Sequence, residues 1–199
     1  MASKVAAFFL AIGLVFADGA LPQAARVSTT ERIKLAPGGA IKLVDSSGDL
    51  NIEGWDRPEV EITIIKSASP GKQEEGKRRL EGVHVATEHP SDTEVSISTS
   101  GASRHGVVLE YQIRAPRDAR LTIQHRGGYV QVTDMTGDIE IHAKSGDIML
   151  MVPQPGTYAI DAECEFGGVY SDFAGDSKRQ HLIGRRFVRD AVAPAHNAR

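Results

Sequence analysis

The sequence is expected to fold as an all-β single-stranded β-helix, a β-solenoid with short rungs of about nine residues per side and one short helical or loop insertion. Three observations carry that expectation. Polar and apolar residues alternate with period 2, the mark of half-buried strands, over 41–44, 50–52, 60–65, 83–85, 95–97, 107–113 and 121–123. Gly accounts for 20 of 199 residues while aromatics reach only 6%, which favours many turns and an aliphatic core. A Gly-x-Φ-x-Φ unit, with Φ apolar, starts at Gly128, Gly137, Gly146 and Gly156, at intervals of nine, nine and ten residues, and once earlier at Gly48.

Taken in order, the chain opens on an address. Lys4 precedes an unbroken apolar run over 5–17, the length of a signal-peptide core and too short to span a bilayer as a helix. Val15 and Ala17 suit signal peptidase, so 1–17 is expected to be removed; an uncleaved anchor is the alternative. Residues 18–32 then form a flexible mature N-terminus, and 33–173 the β-solenoid domain. The stretch Gly54-Trp55-Asp56-Arg57-Pro58 reads as a strand-to-strand corner, with Trp55 covering one end of the core. Residues 72–80 (KQEEGKRRL) are polar nearly all round and interrupted by Gly76, so they make at most a short exposed helix or a loop.

In the repeat tract a five-residue strand and a four-residue corner fill each nine-residue interval, with glycine at the corner. Antiparallel hairpins and a parallel coil both fit that spacing. The corners Asp134-Met135-Thr136 and Ala143-Lys144-Ser145 lack an Asn-Gly or Asp-Gly pair, which favours the coil. Val130, Val132, Ile139, Ile141, Ile148 and Leu150 then point inward, and Tyr129, Gln131, Asp138, Glu140, Asp147 and Met149 outward. Cys164 alternates with Tyr158, Ile160 and Ala162 as a small buried side chain, and as the sole cysteine it makes no internal disulfide. Residues 174–199 are expected to be a basic tail: from Lys178 on, Lys178, Arg179, Arg185, Arg186, Arg189 and Arg199 stand against Asp190 alone, while the body up to Ser177 is acidic. Such a tail can lie on its own acidic face, bind an anionic surface, or stay disordered.

The stretch 46–64 (SSGDLNIEGWDRPEVEITI), followed by an insertion and the repeats ending TGDIEIHAKSGDIML, resembles the bacterial putative adhesin family with a GIN-type β-solenoid head. The similarity runs over about 33–172. It implies an exported domain of Gly-Asp-aliphatic rungs, in a family mostly of unknown function. The polar end after Phe173 departs from the further Asn-Gly-Asp-Ile rungs with which such domains close.

Chemistry is sparse. The formal net charge of -3 gives no concentrated basic surface for nucleic acid. The seven histidines never fall at His-Glu-x-x-His spacing, and Asp138 and Asp147 offer one carboxylate per corner where calcium needs six to eight oxygens, so no metal and no cofactor is expected. There is no Gly-x-Ser-x-Gly elbow and no phosphate loop. Glu140 and His142 share a strand face, which permits an acid–base pair without arguing for one. The binding candidates are Trp55, for stacking on a sugar; Asp138, Glu140 and Asp147, as surface carboxylates; and Met149, which with Met151 marks an apolar strip that either packs under the 72–80 insertion or meets a partner. The expected function is an exported, non-enzymatic, adhesin-like binding or structural module of the bacterial envelope, in the periplasm or at the cell surface, with no transmembrane segment after signal cleavage. Its partner would be an envelope polysaccharide or protein. The alternatives are a carbohydrate-active enzyme on a β-helix, and a regulatory or structural envelope component without a ligand.

Overall fold

The computed structural model describes residues 25–69, 73–101, 106–153, 158–172, 175–180 and 183–191; the expected signal peptide and the Gly156 unit's glycine lie outside them. Every period-2 segment named above lies within a strand, except that Val83 just precedes β5. In chain order the elements are β1 (Arg26–Lys34), β2 (Ala40–Ser46), β3 (Asp49–Trp55), β4 (Glu59–Ala68), α1 (Gln73–Glu81), β5 (His84–Ser91), β6 (Glu94–Ser100), β7 (Val107–Pro116), β8 (Arg120–His125), β9 (Gly128–Thr133), β10 (Ile139–Met151), β11 (Ile160–Ser171), β12 (Asp176–Gln180) and β13 (Gly184–Arg189).

All thirteen strands join one mixed sheet. Its order is β1-β4-β7-β3-β9-β10-β8-β2-β6-β5, with β11 on β10, β13 on β11 and β12 on β13. The sheet bends over on itself into a nearly closed barrel because β10 serves both walls. Residues 139–143 pair with β8 and 146–151 with β9, so the wall turns between them, and β11 follows β10 along its whole length. Parallel register stacks the inward aliphatics in rows. Ile41, Leu121, Ile139 and Ile160 form one row and Leu43, Ile123, Ile141 and Ala162 the next, facing Leu50, Val130, Ile148 and Val169 on the other wall. Removing a Val, Leu or Ile side chain from water contributes roughly 1.5–3 kcal/mol, so these rows dominate the stability.

This sheet replaces the expected single-stranded β-solenoid. Five of the twelve strand pairings are antiparallel, namely β1–β4, β4–β7, β5–β6, β11–β13 and β12–β13. The nine-residue interval carries the chain from one wall to the other, and stacked neighbours lie about two intervals apart. Gly128 lies beside Gly146, eighteen residues on, and Gly146 beside Gly167. Gly137 sits away from that line, against the Ala119 carbonyl, and β10 runs unbroken through the unit that Gly146 begins. Period-2 alternation reports which side chains face inward and is silent on strand direction. The reversals fall outside the repeat tract, at Asp56-Arg57-Pro58 between β3 and β4, at Asp92-Thr93 between β5 and β6, and between β12 and β13.

The glycine line is a steric requirement. Gly128 and Gly146 take φ of 121° and 111°, and a methyl group added at either would run into the carbonyl of the glycine on the neighbouring strand, Gly48 or Gly128.

Two further expectations change, and one is met. Within 18–32, residues from Arg26 onward are β1, paired along its length with β4; its alternation is weak because only Ile33 is buried. Within 174–199, residues 176–180 and 184–189 are β12 and β13, and β13 extends the sheet along residues 160–164 of β11. The 72–80 insertion, described from Gln73 on, is the short helix of the two expected forms: α1 packs on β4 and buries Leu80 with Ile65 and Ala68 outside the main core, not on the strand that carries Met149 and Met151.

Candidate binding face

The outer surface of the β1-β4-β7-β3-β9-β10-β11 wall is ordered by the same register as the core. Thr30, Thr63, Gln112, Asn51, Gln131, Met149 and Tyr170 follow one another across its seven strands, all outward and none charged. At about 4.8 Å per strand the lane is about 29 Å long. It ends on Tyr170, 55% exposed, beside the half-buried Met149. The row on one side is charged but internally paired: Arg32 meets Glu61 at 2.5 Å, and Arg114 reaches Glu61 at 3.6 Å and Glu53 at 3.3 Å. Within the lane the Thr30 and Thr63 hydroxyls are 2.9 Å apart, and the Gln112 amide donates to Glu110 at 2.6 Å.

The five candidate residues do not converge. Asp147 and Met149 share this wall, Asp147 standing between Tyr129 and Gly168 in the row next to Met149. Its carboxylate accepts the Gly168 amide at 2.9 Å. Asp138, just before β10, accepts the Ala159 amide at 2.8 Å. Both carboxylates therefore tie one segment to the next, as short acidic side chains beside glycine do. Glu140 is on the opposite wall, with His142 Nε2 at 3.3 Å, and His142 Nδ1 is 3.8 Å from Glu163 across the strand. Asp45, Gln124, Arg126, Lys144 and Glu165 complete a shallow depression of about 330 Å³ around His142. Its charges are of both signs, and among the described residues no group of three or more His, Cys, Asp and Glu is placed to hold a metal ion.

Trp55 ends β3, four residues beyond Asn51 and about 13 Å along the strand. Its Nε1 donates to the Glu59 carbonyl at 2.7 Å, and the Arg57 guanidinium covers the ring at 5.0 Å from its centroid. One ring face is thus already occupied by a cation–π contact. Leu35, Pro37, Pro58, Pro116 and Arg117 line a depression of about 380 Å³ beside it, with Arg117 held by Asp56 at 2.8 Å.

Two buried polar pairs went unnoticed in the sequence. The Tyr111 and Thr99 hydroxyls meet at 2.8 Å in the core, and burial pushes the Tyr111 phenol above its ordinary range. His125, 3% exposed, turns inward at the end of β8 with its Nδ1 2.9 Å from the Ser46 hydroxyl. Its Nε2 is buried without a hydrogen bond. Burial pushes the imidazole below its ordinary value, although the nearby Gly48 and Gly127 backbones favour the proton. Cys164 is buried as expected, its Sγ donating to the Gly146 carbonyl at 3.1 Å, and burial pushes the thiol up. The signal for His125 was its place at the inward phase of the 121–125 alternation.

Tyr170 was also missed, because Gly167-Gly168 hides the phase of its strand. Phe166, in the same strand, is 52% exposed.

No protein-family model matches the chain, and no curated protein matches it. Among solved structures the chain is similar to a putative cell adhesion protein from Clostridium sporogenes, at TM-score 0.43 and 11% identity, over 72% of this chain and 98% of that one. It is also similar to putative adhesins from Parabacteroides merdae, at TM-score 0.26 and 10% identity over 72% and 80% of the two chains, and from Parabacteroides distasonis, at TM-score 0.23 and 14% identity over 72% and 96%.

Proposed function

We propose that this chain is an exported, non-enzymatic, adhesin-like module that binds an uncharged polysaccharide of the bacterial envelope, from the periplasm or the cell surface. The observation that carries the reading is the uncharged lane across seven strands, from Thr30 to Tyr170. Amides and hydroxyls at strand spacing suit an extended, hydroxyl-rich chain, and Tyr170 supplies a ring on which a sugar face can stack. The apolar run over 5–17 supports export. Non-catalytic binding is supported by the engagement of Asp138 and Asp147 with backbone amides, which removes two of the three candidate carboxylates from acid–base work.

The test is calorimetric titration of the chain with fractionated envelope polysaccharides. An uncharged fraction is expected to bind with little dependence on salt, since no exposed charge is used. Gln131→Ala with Tyr170→Ala is expected to weaken binding at least tenfold. Binding that is unchanged in that double variant, or shortened polysaccharide chains in the cell after titration, would overturn the reading.

A further inference from the structure

We infer that the β12–β13 hairpin, together with Phe166, is a docking surface for an anionic lipid bilayer, separate from the uncharged lane and independent of it. The first observation is electrostatic. In the hairpin Lys178 lies directly opposite Arg186, and Arg179 directly opposite Arg185. Like charges opposed across antiparallel strands destabilise the pairing, so the sheet gains nothing from this arrangement. Arg186 is neutralised by Asp161, at 2.5 and 2.8 Å. Lys178, Arg179 and Arg185 are exposed, and none has an ion-pair partner among the described residues.

The second observation is apolar and comes from the hairpin's tip. Ile183, immediately before β13, is 62% exposed. The last pair between β11 and β13 is Cys164 with Arg185, so Ile183 and Phe166 each lie two residues beyond it, at the same end of the sheet. An exposed aliphatic and an exposed aromatic side chain at the tip, with Arg179 and Arg185 on one face of the hairpin and Lys178 on the other, match a membrane interface: the apolar pair enters the headgroup boundary while the cations flanking it meet lipid phosphates. Among the described residues Glu165 is the exposed carboxylate between Phe166 and the last pair, Asp147 lies on the neighbouring strand bound to the Gly168 amide, Asp176 is exposed at the far end of β12, and Glu163 faces His142. A soluble polyanion would satisfy the cations and leave Ile183 and Phe166 in water. The bilayer accounts for both observations, and the attachment needs no membrane-crossing helix; among the described residues none is long and apolar enough to cross.

Vesicle co-sedimentation of the full chain tests this, using phosphatidylcholine alone and phosphatidylcholine mixed with phosphatidylglycerol, at low and high salt. The run over 5–17 is common to all variants, so effects are read as differences between them. The native chain is expected to prefer the anionic vesicles and to lose that preference at high salt. Each cation removed, in Lys178→Gln, Arg179→Gln and Arg185→Gln, is expected to weaken binding about fivefold, and the triple variant about a hundredfold. Ile183→Ser with Phe166→Ser is expected to weaken binding to anionic vesicles about tenfold and to leave binding to soluble dextran sulfate unchanged. Equal binding to both kinds of vesicle in native and triple-variant chains would overturn the inference. So would vesicle binding indifferent to Ile183 and Phe166, which would mark a polyanion site. Should the triple variant misfold, the salt dependence of the native chain and the apolar double variant decide alone. Retention of polysaccharide binding in all these variants keeps the result distinct from the fate of the lane.

Discussion

Replacing Gly146 by Ala should expose what the glycine line contributes, when set beside Gly38→Ala. Both glycines have positive φ, 111° and 67°, so both substitutions carry the backbone penalty of placing a side chain there, about 1–3 kcal/mol. The surroundings differ. At Gly38 an added methyl meets nothing within 4 Å, whereas at Gly146 it collides with the Gly128 carbonyl on the neighbouring strand. Overpacking of a packed interior adds typically 1–3 kcal/mol, so Gly146→Ala is expected to cost about 2–6 kcal/mol and Gly38→Ala about 1–3 kcal/mol. Urea unfolding followed by Trp55 fluorescence and by far-ultraviolet circular dichroism reads both. The two probes should agree, with a lower midpoint and an unchanged slope. A Gly146→Ala variant no less stable than Gly38→Ala would refute the close backbone approach at that position.

Buried His125 should make the fold sensitive to mild acid. The unfolded imidazole takes a proton near 6.5 and the folded one only at lower pH, so stability is full above about 6.5 and falls as pH drops below it; His125→Gln should flatten urea midpoints between about pH 7 and 5. Tyr111→Phe should cost about 1–3 kcal/mol by leaving the Thr99 hydroxyl buried without its 2.8 Å partner, and adding Thr99→Val should recover part of that loss in the same assay. Asp161→Asn should open β13 locally: amide exchange at 186–188 rises while β3 and β9 keep their protection. The Arg186 guanidinium holds the Asp161 carboxyl below the usual carboxylate range, so in the native chain β13 should begin to lose protection as pH enters that range and lose it fully only below it.

The strands were legible because burial on one side imposes alternation, and the inward residues of the repeat tract, from Val130 to Leu150, are the buried ones. Direction and neighbour were not. Ile62 pairs antiparallel with Ile113, and Ile52 parallel with the same residue, yet the three segments read alike. β1 was hidden because its outer edge carries Arg26, Ser28, Thr30 and Arg32, the polar composition of a sheet edge and equally of a flexible end. β12 and β13 were hidden by their charge, since Arg185 and Arg186 read as tail until Phe187 is seen to be buried. Asp138 and Asp147 were recognisable as turn acids, but a side chain's neighbours on other strands, such as Gln131 and Tyr170 beside Met149, exist only once the register is set.

That register is open to direct measurement by paired cysteines. Gln131 and Met149 are opposite each other on adjacent parallel strands, whose spacing of about 4.8 Å falls within the Cα separation a disulfide spans. Gln131→Cys with Met149→Cys should oxidise rapidly and intramolecularly in the folded chain, with buried Cys164 silent in each single-substitution parent. Gln131→Cys with Glu140→Cys, nine residues apart and on opposite walls, should not. Ready cross-linking of the nine-residue pair and none of the eighteen-residue pair would contradict the sheet, and with it the face on which Met149 and Tyr170 stand side by side.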